Sequence, residues 1–380
     1  MTNATYGGKP HYKIMKIALL GAGHIGHTIA HLLVNSGDYT LTVIDQSQVS
    51  LDKLAHLKIK TAVVDTNDPD ALESAIKGHD AVINALPYHL AVKIATAAKN
   101  AGCHYFDLTE DVAATKAIMG LAQDAKTAFM PQCGLAPGFI GIVAHHLAQG
   151  FDSLDEIKMR VGALPAFPTN ALKYNLTWSV DGLINEYCHP CEAIHEGAIT
   201  AMLPLEGLEH FSLDGVEYEA FNTSGGLGTL CETLDGKVRS LDYKSVRYPG
   251  HRALMQFLLT ELRLSNDQEA LKDIMRKSVP TTMQDVVLVF VTVSGMRKGA
   301  YVQEVFARKI FAQRATGSDE AVSAIQITTA AGICAAVDLF RVGKLPTSGF
   351  IRQEQVALPD FLANRFGIAY EQSRRIESIS

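Results

Sequence analysis

The chain has 380 residues, of which 47% are hydrophobic and 19% charged, and a net charge of -6. That length suggests two domains, and the mildly acidic balance, with no cluster of lysine and arginine, leaves no electrostatic footprint for nucleic acid. The longest wholly apolar run, residues 286 to 291, is too short for a bilayer crossing, which takes about 20 residues.

The opening MTNATYGGKPHYK lacks the apolar core of a signal peptide and reads as a polar tail, so a cytoplasmic protein is expected. Residues 14 to 20 form an apolar strand that runs into Gly21, Gly23 and Gly26 at GxGxxG spacing, followed by a helix and by a second strand ending in Asp45. The pattern predicts a dinucleotide-binding unit. Gly21 permits the tight turn, Gly23 lets backbone approach a pyrophosphate, and Gly26 lets the helix pack on the strand. The phosphates would meet the first turn of that helix, at His24 and Ile25, whose N–H groups have no intrahelical partner. Asp45 lies 19 residues after Gly26, where a carboxylate accepts from ribose hydroxyls and repels a 2′-phosphate, so NAD is expected over NADP.

The alternation of strand and helix continues. A strand over residues 61 to 64 leads to Asp65 and Thr66. Asp68 and Pro69 then start a helix, and the strand over 81 to 86 carries Asn84, Ala85 and Leu86. A helix closed by Gly102 follows, then a strand over 104 to 106 ending in Asp107, a helix to about residue 125 and a sixth strand over 128 to 130. This order predicts an α/β fold, a Rossmann-type doubly wound parallel sheet over residues 1–137, with ligands beyond the carboxyl ends of its strands. From 138 to 312 strand-like stretches at 157 to 161, 218 to 221 and 286 to 293 suggest a second, mostly antiparallel α+β domain that holds the substrate. An apolar helix over 318 to 340 is expected to return the C-terminal part, 313–380, to the first domain.

Candidate chemistry gathers at the strand ends. Asp107 is either a proton acceptor or a cap for the helix beginning near Asp111, and Tyr88 either carries a proton or packs against the cofactor. In the second domain Arg247 can grip a carboxylate in a bidentate fork, and His251 either assists the proton path or is structural. Trp178 can wall an aliphatic stem or fill the core. Glu186 can balance an ammonium or merely be solvated, and Cys133 can line the nicotinamide pocket without a base to activate it. The pair Cys188 and Cys191 has no second half, so reduced structural thiols and no metal are expected.

The junction PQCGLAPGFIGI (131–142) also offers a helix start at Pro137 and Gly138 as a place for an anionic group. Together with YFDLTED (105–111), TWSVDGLINEY (177–187) and YKSVRYPGH (243–251), it resembles the saccharopine dehydrogenase family, most of all its lysine 6-dehydrogenase branch. The resemblance implies a Rossmann domain with a mixed catalytic domain and pyridine-nucleotide chemistry at a C–N bond. The expectation is NAD-dependent oxidation of an amino acid side-chain amine, with L-lysine as substrate and a homodimer or larger homo-oligomer as assembly. Saccharopine or carboxynorspermidine dehydrogenation is the alternative, and would call for more cationic anchors. A non-catalytic NAD sensor is the alternative outside enzymes; Asp107, Tyr88 and Arg247 in one cleft would speak against it.

Overall fold

The computed structural model describes residues 13–314 and 321–371; the opening tail and part of the expected 318–340 helix lie outside them. The first unit runs β1 (Met15–Leu20), α1 (His24–Ser36), β2 (Tyr39–Asp45), α2 (Gln48–Asp52), β3 (Lys60–Val63), α3 (Pro69–Ile76), β4 (Ala81–Asn84), α4 (Ala91–Ala101), β5 (His104–Asp107), α5 (Val112–Ala122) and β6 (Ala128–Met130). Alternation along β1 explains why helices cover both faces of the sheet. Ile17 and Leu19 enter one core with Ile29 and Leu33, whereas Ala18 and Leu20 enter another with Ile94 and Ile118.

The second unit continues with α6 (Phe139–Ala148), β7 (Ser153–Pro165), α7 (Val180–Cys188), β8 (Cys191–His195), β9 (Ala198–Met202), β10 (Glu209–Leu213), β11 (Val216–Asn222), α8 (Leu230–Leu234), β12 (Val238–Arg247), α9 (His251–Gln256), α10 (Gln268–Ser278), β13 (Asp285–Arg297) and β14 (Ala300–Phe311). Its sheet has the order β10-β11-β12-β7-β13-β14, with β8 and β9 attached through β12. It is antiparallel except at β12 and β7, which pair parallel.

After a short antiparallel pair, β15 (Gln313–Arg314) and β16 (Ala321–Val322), helix α11 (Ala324–Arg341) begins at a capping box of Ser323 and Gln326. The start is further anchored by Asp285 at the head of β13, whose carboxylate accepts from the amides of Ala324 at 2.5 Å and Ile325 at 3.0 Å. This is the helix expected at 318–340; among the described residues it starts at Ala324. It is long and apolar enough to cross a bilayer, but most of it is buried in the protein core. Tyr39 and Asp338 hydrogen-bond at 2.6 Å between β2 and α11. The polypeptide then adds β17 (Gly349–Phe350), parallel to β6, and closes with α12 (Leu358–Ala363). The first sheet therefore has seven parallel strands in the order β17-β6-β5-β4-β1-β2-β3, one more than the pattern predicts, because a two-residue strand carries no periodicity. One hydrophobic core runs from Leu19 and Val43 through Val337 to Met159 and Val291, so the two sheets are packed as one body.

Candidate active site

In the first sheet the strand order reverses beside β1 and β4, and there a crevice opens beyond their carboxyl ends. Gly21 sits at φ +101°, where a Cβ would come within 2.9 Å of the Ala85 carbonyl oxygen. A Cβ on Gly26 would overlap the Gly21 carbonyl oxygen, so the helix and turn can meet only without one. At Gly23 a Cβ would meet nothing within 4 Å, yet Gly23 lines the cavity, so the space it leaves is open to a ligand. The N-cap of α1 makes no side-chain hydrogen bond and its first turn holds no acidic residue, which leaves its amides for an anion. The residues fit a dinucleotide pyrophosphate.

Asp45 ends β2 with its carboxylate accepting from the amides of Ala22 at 2.7 Å and Ser47 at 2.8 Å. A carboxylate has about four acceptor positions, so ribose hydroxyls can still be received. Asp45, Asp65 and Thr66 stand at the ends of β2 and β3 and are not part of the cavity wall, whereas His24, Ile25, Ala85 and Leu86 are. Asn84 is also behind the wall: its side-chain amide donates to Tyr105 and its oxygen accepts from the Leu86 amide.

The cavity, about 720 Å³, lies between this loop and the second sheet. It brings together Tyr88, Trp178, Glu186 and Arg247, and adds Glu110, Thr177, Asp181 and Tyr243, which the sequence pattern does not single out. Arg247, at the end of β12, is 3% exposed. Its Nε donates to the Tyr187 hydroxyl at 2.9 Å and its Nη1 to the Val246 carbonyl at 2.8 Å, while no described residue bonds its Nη2. Burial disfavours its charge, but Tyr187, Tyr174 and Glu186 outweigh that, so the guanidinium stays protonated. Thr177 also presents a buried hydroxyl oxygen with no partner among the described residues.

Three carboxylates share the cavity with this one guanidinium, and no other lysine or arginine is among the described lining residues. Asp181 is held by Lys272 at 3.2 Å and Arg276 at 2.9 Å, which keep it below its ordinary range against the cost of burial. Glu186 is 7% exposed. Burial pushes it up to about 8, with Arg247 opposing and Glu110 adding to the shift. Burial likewise pushes Glu110 up to about 7, helped by the neighbouring charges of Asp111 and Asp107. Burial also raises the Tyr88 phenol.

Several expected residues occupy other places. Asp107 is 1% exposed and does not line the cavity. Its carboxylate accepts from the amides of Thr109 at 3.0 Å and Gln132 at 2.9 Å and from the Tyr105 hydroxyl at 2.8 Å, pinning the end of β5 to the following turn. Burial lifts it to about 6 against those hydrogen bonds. Nor is it the helix cap: Asp111 caps α5 through the Ala114 amide.

His251 is fully buried behind Arg247. Its Nδ1 faces the Leu172 carbonyl at 2.9 Å and must donate, so its Nε2 accepts from the Tyr187 hydroxyl at 3.1 Å, which in turn accepts from Arg247. Burial, and then the charge of Arg247, lower it to about 3, so it is a neutral residue that positions the guanidinium. Cys133 is buried beneath the wall with its thiol raised by burial. The start of α6 is also unavailable to an anion, because the Phe139 and Ile140 amides already bond the Gly134 and Leu135 carbonyls. All six cysteines are free thiols. A histidine group outside the cavity, His27, His31 and His56, gathers between α1 and the segment after α2, with His31 and His56 Nε2 atoms 3.1 Å apart. Among the described residues no set of three such ligands is arranged to hold a metal ion.

Two family profiles match the chain: the saccharopine dehydrogenase NADP binding domain over residues 17–130 and the saccharopine dehydrogenase C-terminal domain over residues 134–366. A saccharopine dehydrogenase (NADP(+), L-glutamate-forming) of Pyricularia oryzae is 26% identical over 194 residues, which is 48% of this chain and 42% of that protein. The mitochondrial alpha-aminoadipic semialdehyde synthase of Rattus norvegicus is 24% identical over 198 residues, 48% of this chain and 21% of that protein. The chain thus spans less than half the length of these curated relatives. The apo saccharopine dehydrogenase (L-Glu forming) of Saccharomyces cerevisiae superposes with a TM-score of 0.74 at 16% identity, over 91% of this chain and 96% of that one, which shows the shared fold. With one profile ending where the dinucleotide sheet hands over to the second sheet and the other taking in nearly all that follows, the chain belongs to the saccharopine dehydrogenase family.

Proposed function

We propose that the protein is a nicotinamide-dinucleotide-dependent oxidoreductase that oxidises the side-chain amine of a diamino monocarboxylic acid, L-lysine at its ε-carbon. The supporting observation is the charge inventory of the cavity: one guanidinium against three carboxylates, of which Asp181 is already paired with Lys272 and Arg276. Lysine carries one carboxylate and two ammonium groups. Saccharopine, named in the relatives, carries three carboxylates, of which a single Arg247 could neutralise one; an unpaired buried charge is costly. When bound, the dinucleotide supplies the hydride acceptor.

The protein's own residues do the rest. Arg247 holds the α-carboxylate through its open Nη2 edge, Trp178 walls the methylene stem, and the apolar enclosure keeps the reacting amine poorly solvated. The overall change is R–CH2–NH3+ plus NAD+ and water to R–CHO, NH4+, NADH and H+. The aldehyde then cyclises onto the α-amine. Asp45 supports NAD as the acceptor, since a carboxylate at the end of β2 disfavours a 2′-phosphate. The relative from Pyricularia oryzae is, by contrast, named for NADP(+).

Steady-state reduction of NAD and of NADP with L-lysine, L-ornithine, saccharopine, carboxynorspermidine and cadaverine checks this reading. The expected order puts L-lysine with NAD highest in kcat/KM, by at least about tenfold over saccharopine, which is about 1.4 kcal/mol of transition-state binding. Faster turnover of saccharopine would overturn it.

A further inference from the structure

We propose that Glu110 and Glu186 act as one carboxyl pair that holds the reacting ammonium of the substrate and accepts the proton it must lose. The inference rests on the amine-oxidation reading above and names the groups that perform its proton step. Of the three cavity carboxylates, Asp181 is already engaged by Lys272 and Arg276. No side chain among the described residues donates a hydrogen bond to Glu110 or Glu186. These two are therefore the cavity's available acceptors, in a wall that is otherwise largely apolar.

Helix α7 brings the two together. Positions 182 and 186 stand one turn apart on the same face of that helix, and Glu186 lines the cavity from it. Position 182 is glycine. A Cβ there would lie 3.2 Å from Glu110 Oε1 and would overlap the Trp178 ring. The missing side chain thus lets the Glu110 carboxylate and the indole press against the surface that Glu186 continues. The cap of α7, Ser179, accepting from the Gly182 amide at 3.2 Å, fixes this turn.

The surrounding charges define what the pair can do. Near Glu186 stand Arg247, Glu110, the thiol of Cys191 and the neutral phenols Tyr174, Tyr187 and Tyr243; near Glu110 stand Asp111, Asp107 and the phenol of Tyr88. Among the described residues Arg247 is the one cation facing Glu186, so with Asp181 already paired the enclosed site carries one positive charge and two groups able to be negative. With one proton on the pair, the resting site is neutral. An arriving lysine brings one carboxylate, which takes Arg247, a terminal ammonium, which takes the ionised member of the pair, and an α-ammonium, which leaves the occupied site with one positive charge.

An N–H bond of the ammonium then breaks toward a carboxylate oxygen, and the bonding electrons remain on nitrogen as the lone pair that oxidation of the adjacent C–H bond requires. Burial drives the carboxyls up, to about 7 and about 8, toward the lowered proton affinity of a desolvated ammonium, so the transfer is between nearly matched groups.

The test uses the full-length enzyme with bound dinucleotide and four variants: Glu110→Gln, Glu186→Gln, the shortened Glu186→Asp, and Asp181→Asn as a carboxylate of the same cavity outside the pair. The two glutamine variants should lose about 100-fold or more in kcat on L-lysine at pH 7.5, recover in part at alkaline pH, and bind dinucleotide within about threefold of wild type. Glu186→Asp should keep an intermediate rate, and Asp181→Asn should raise KM more than it lowers kcat. Infrared difference spectra between pH 6 and pH 9 read the pair without turnover. The protonated-carboxyl band lost on titration in wild type should shrink in Glu110→Gln and in Glu186→Gln. Glutamine variants that keep wild-type kcat and pH profile, on an enzyme that does oxidise lysine, would overturn the pair and leave the reaction intact. A wild-type enzyme inactive on every amine would overturn the reading and the pair with it.

Discussion

Arg247→Lys is expected to lower kcat/KM for L-lysine by about 10- to 100-fold, equivalent to about 1.4 to 2.7 kcal/mol, with a small effect on dinucleotide affinity. The guanidinium has two duties that one ammonium cannot share. Its Nε and Nη1 are committed to Tyr187 and to the Val246 carbonyl, and that anchoring aims Nη2 into the cavity. A lysine at this position can reach Tyr187 or the substrate, but it lacks the planar fork that holds both. Cadaverine, which has no carboxylate, separates substrate anchoring from general damage. Its slow oxidation should be nearly the same in wild type and variant, and an equal fall for both substrates would make Arg247 a structural residue. The neutral His251 stands behind this arrangement through Tyr187.

Two alanine substitutions in the glycine turn should part company. Gly23→Ala should leave the melting temperature of the dinucleotide-free protein unchanged and weaken dinucleotide binding by about 100-fold, because its methyl group enters open space that the pyrophosphate would occupy. Gly26→Ala should damage the fold itself, by several kcal/mol or roughly 3 and more, because its Cβ overlaps the Gly21 carbonyl and neither backbone can retreat without parting α1 from β1. Melting curves with and without dinucleotide read both effects. Equal loss of stability in the two variants would mean that Gly23, too, is a packing residue.

Much of the first domain was legible because its strands and helices carry strong local signals. The Asp68 and Pro69 helix start, the Gly102 stop and the GxGxxG turn each reflect a local backbone requirement, and the structure shows each one. Strands such as β8 to β10 were not visible, since their exposure alternates weakly and their pairing is set by distant partners. The site was half legible for a related reason. Arg247, Glu186, Trp178 and Tyr88 stand in one cavity, but Asp107 was displaced from it by three hydrogen bonds that sequence spacing does not reveal. Glu110 lies three residues further along the same string, and the turn after β5 carries it to the wall. Nothing in its own neighbours marks it. What distinguishes it is burial against α7 at a glycine more than seventy residues away.

The proposed reaction oxidises the terminal C–N bond of the substrate and leaves the α-amine in place. Turnover of L-lysine carrying nitrogen-15 at the ε-amine, run beside L-lysine labelled at the α-amine, tests it most directly by mass analysis of the ammonium released. Oxidation at the ε-carbon predicts labelled ammonium from the ε-labelled substrate and unlabelled ammonium from the other, with the α-nitrogen retained in the cyclised product. Label released from the α-position, or dinucleotide reduced with no ammonium released at all, would contradict it.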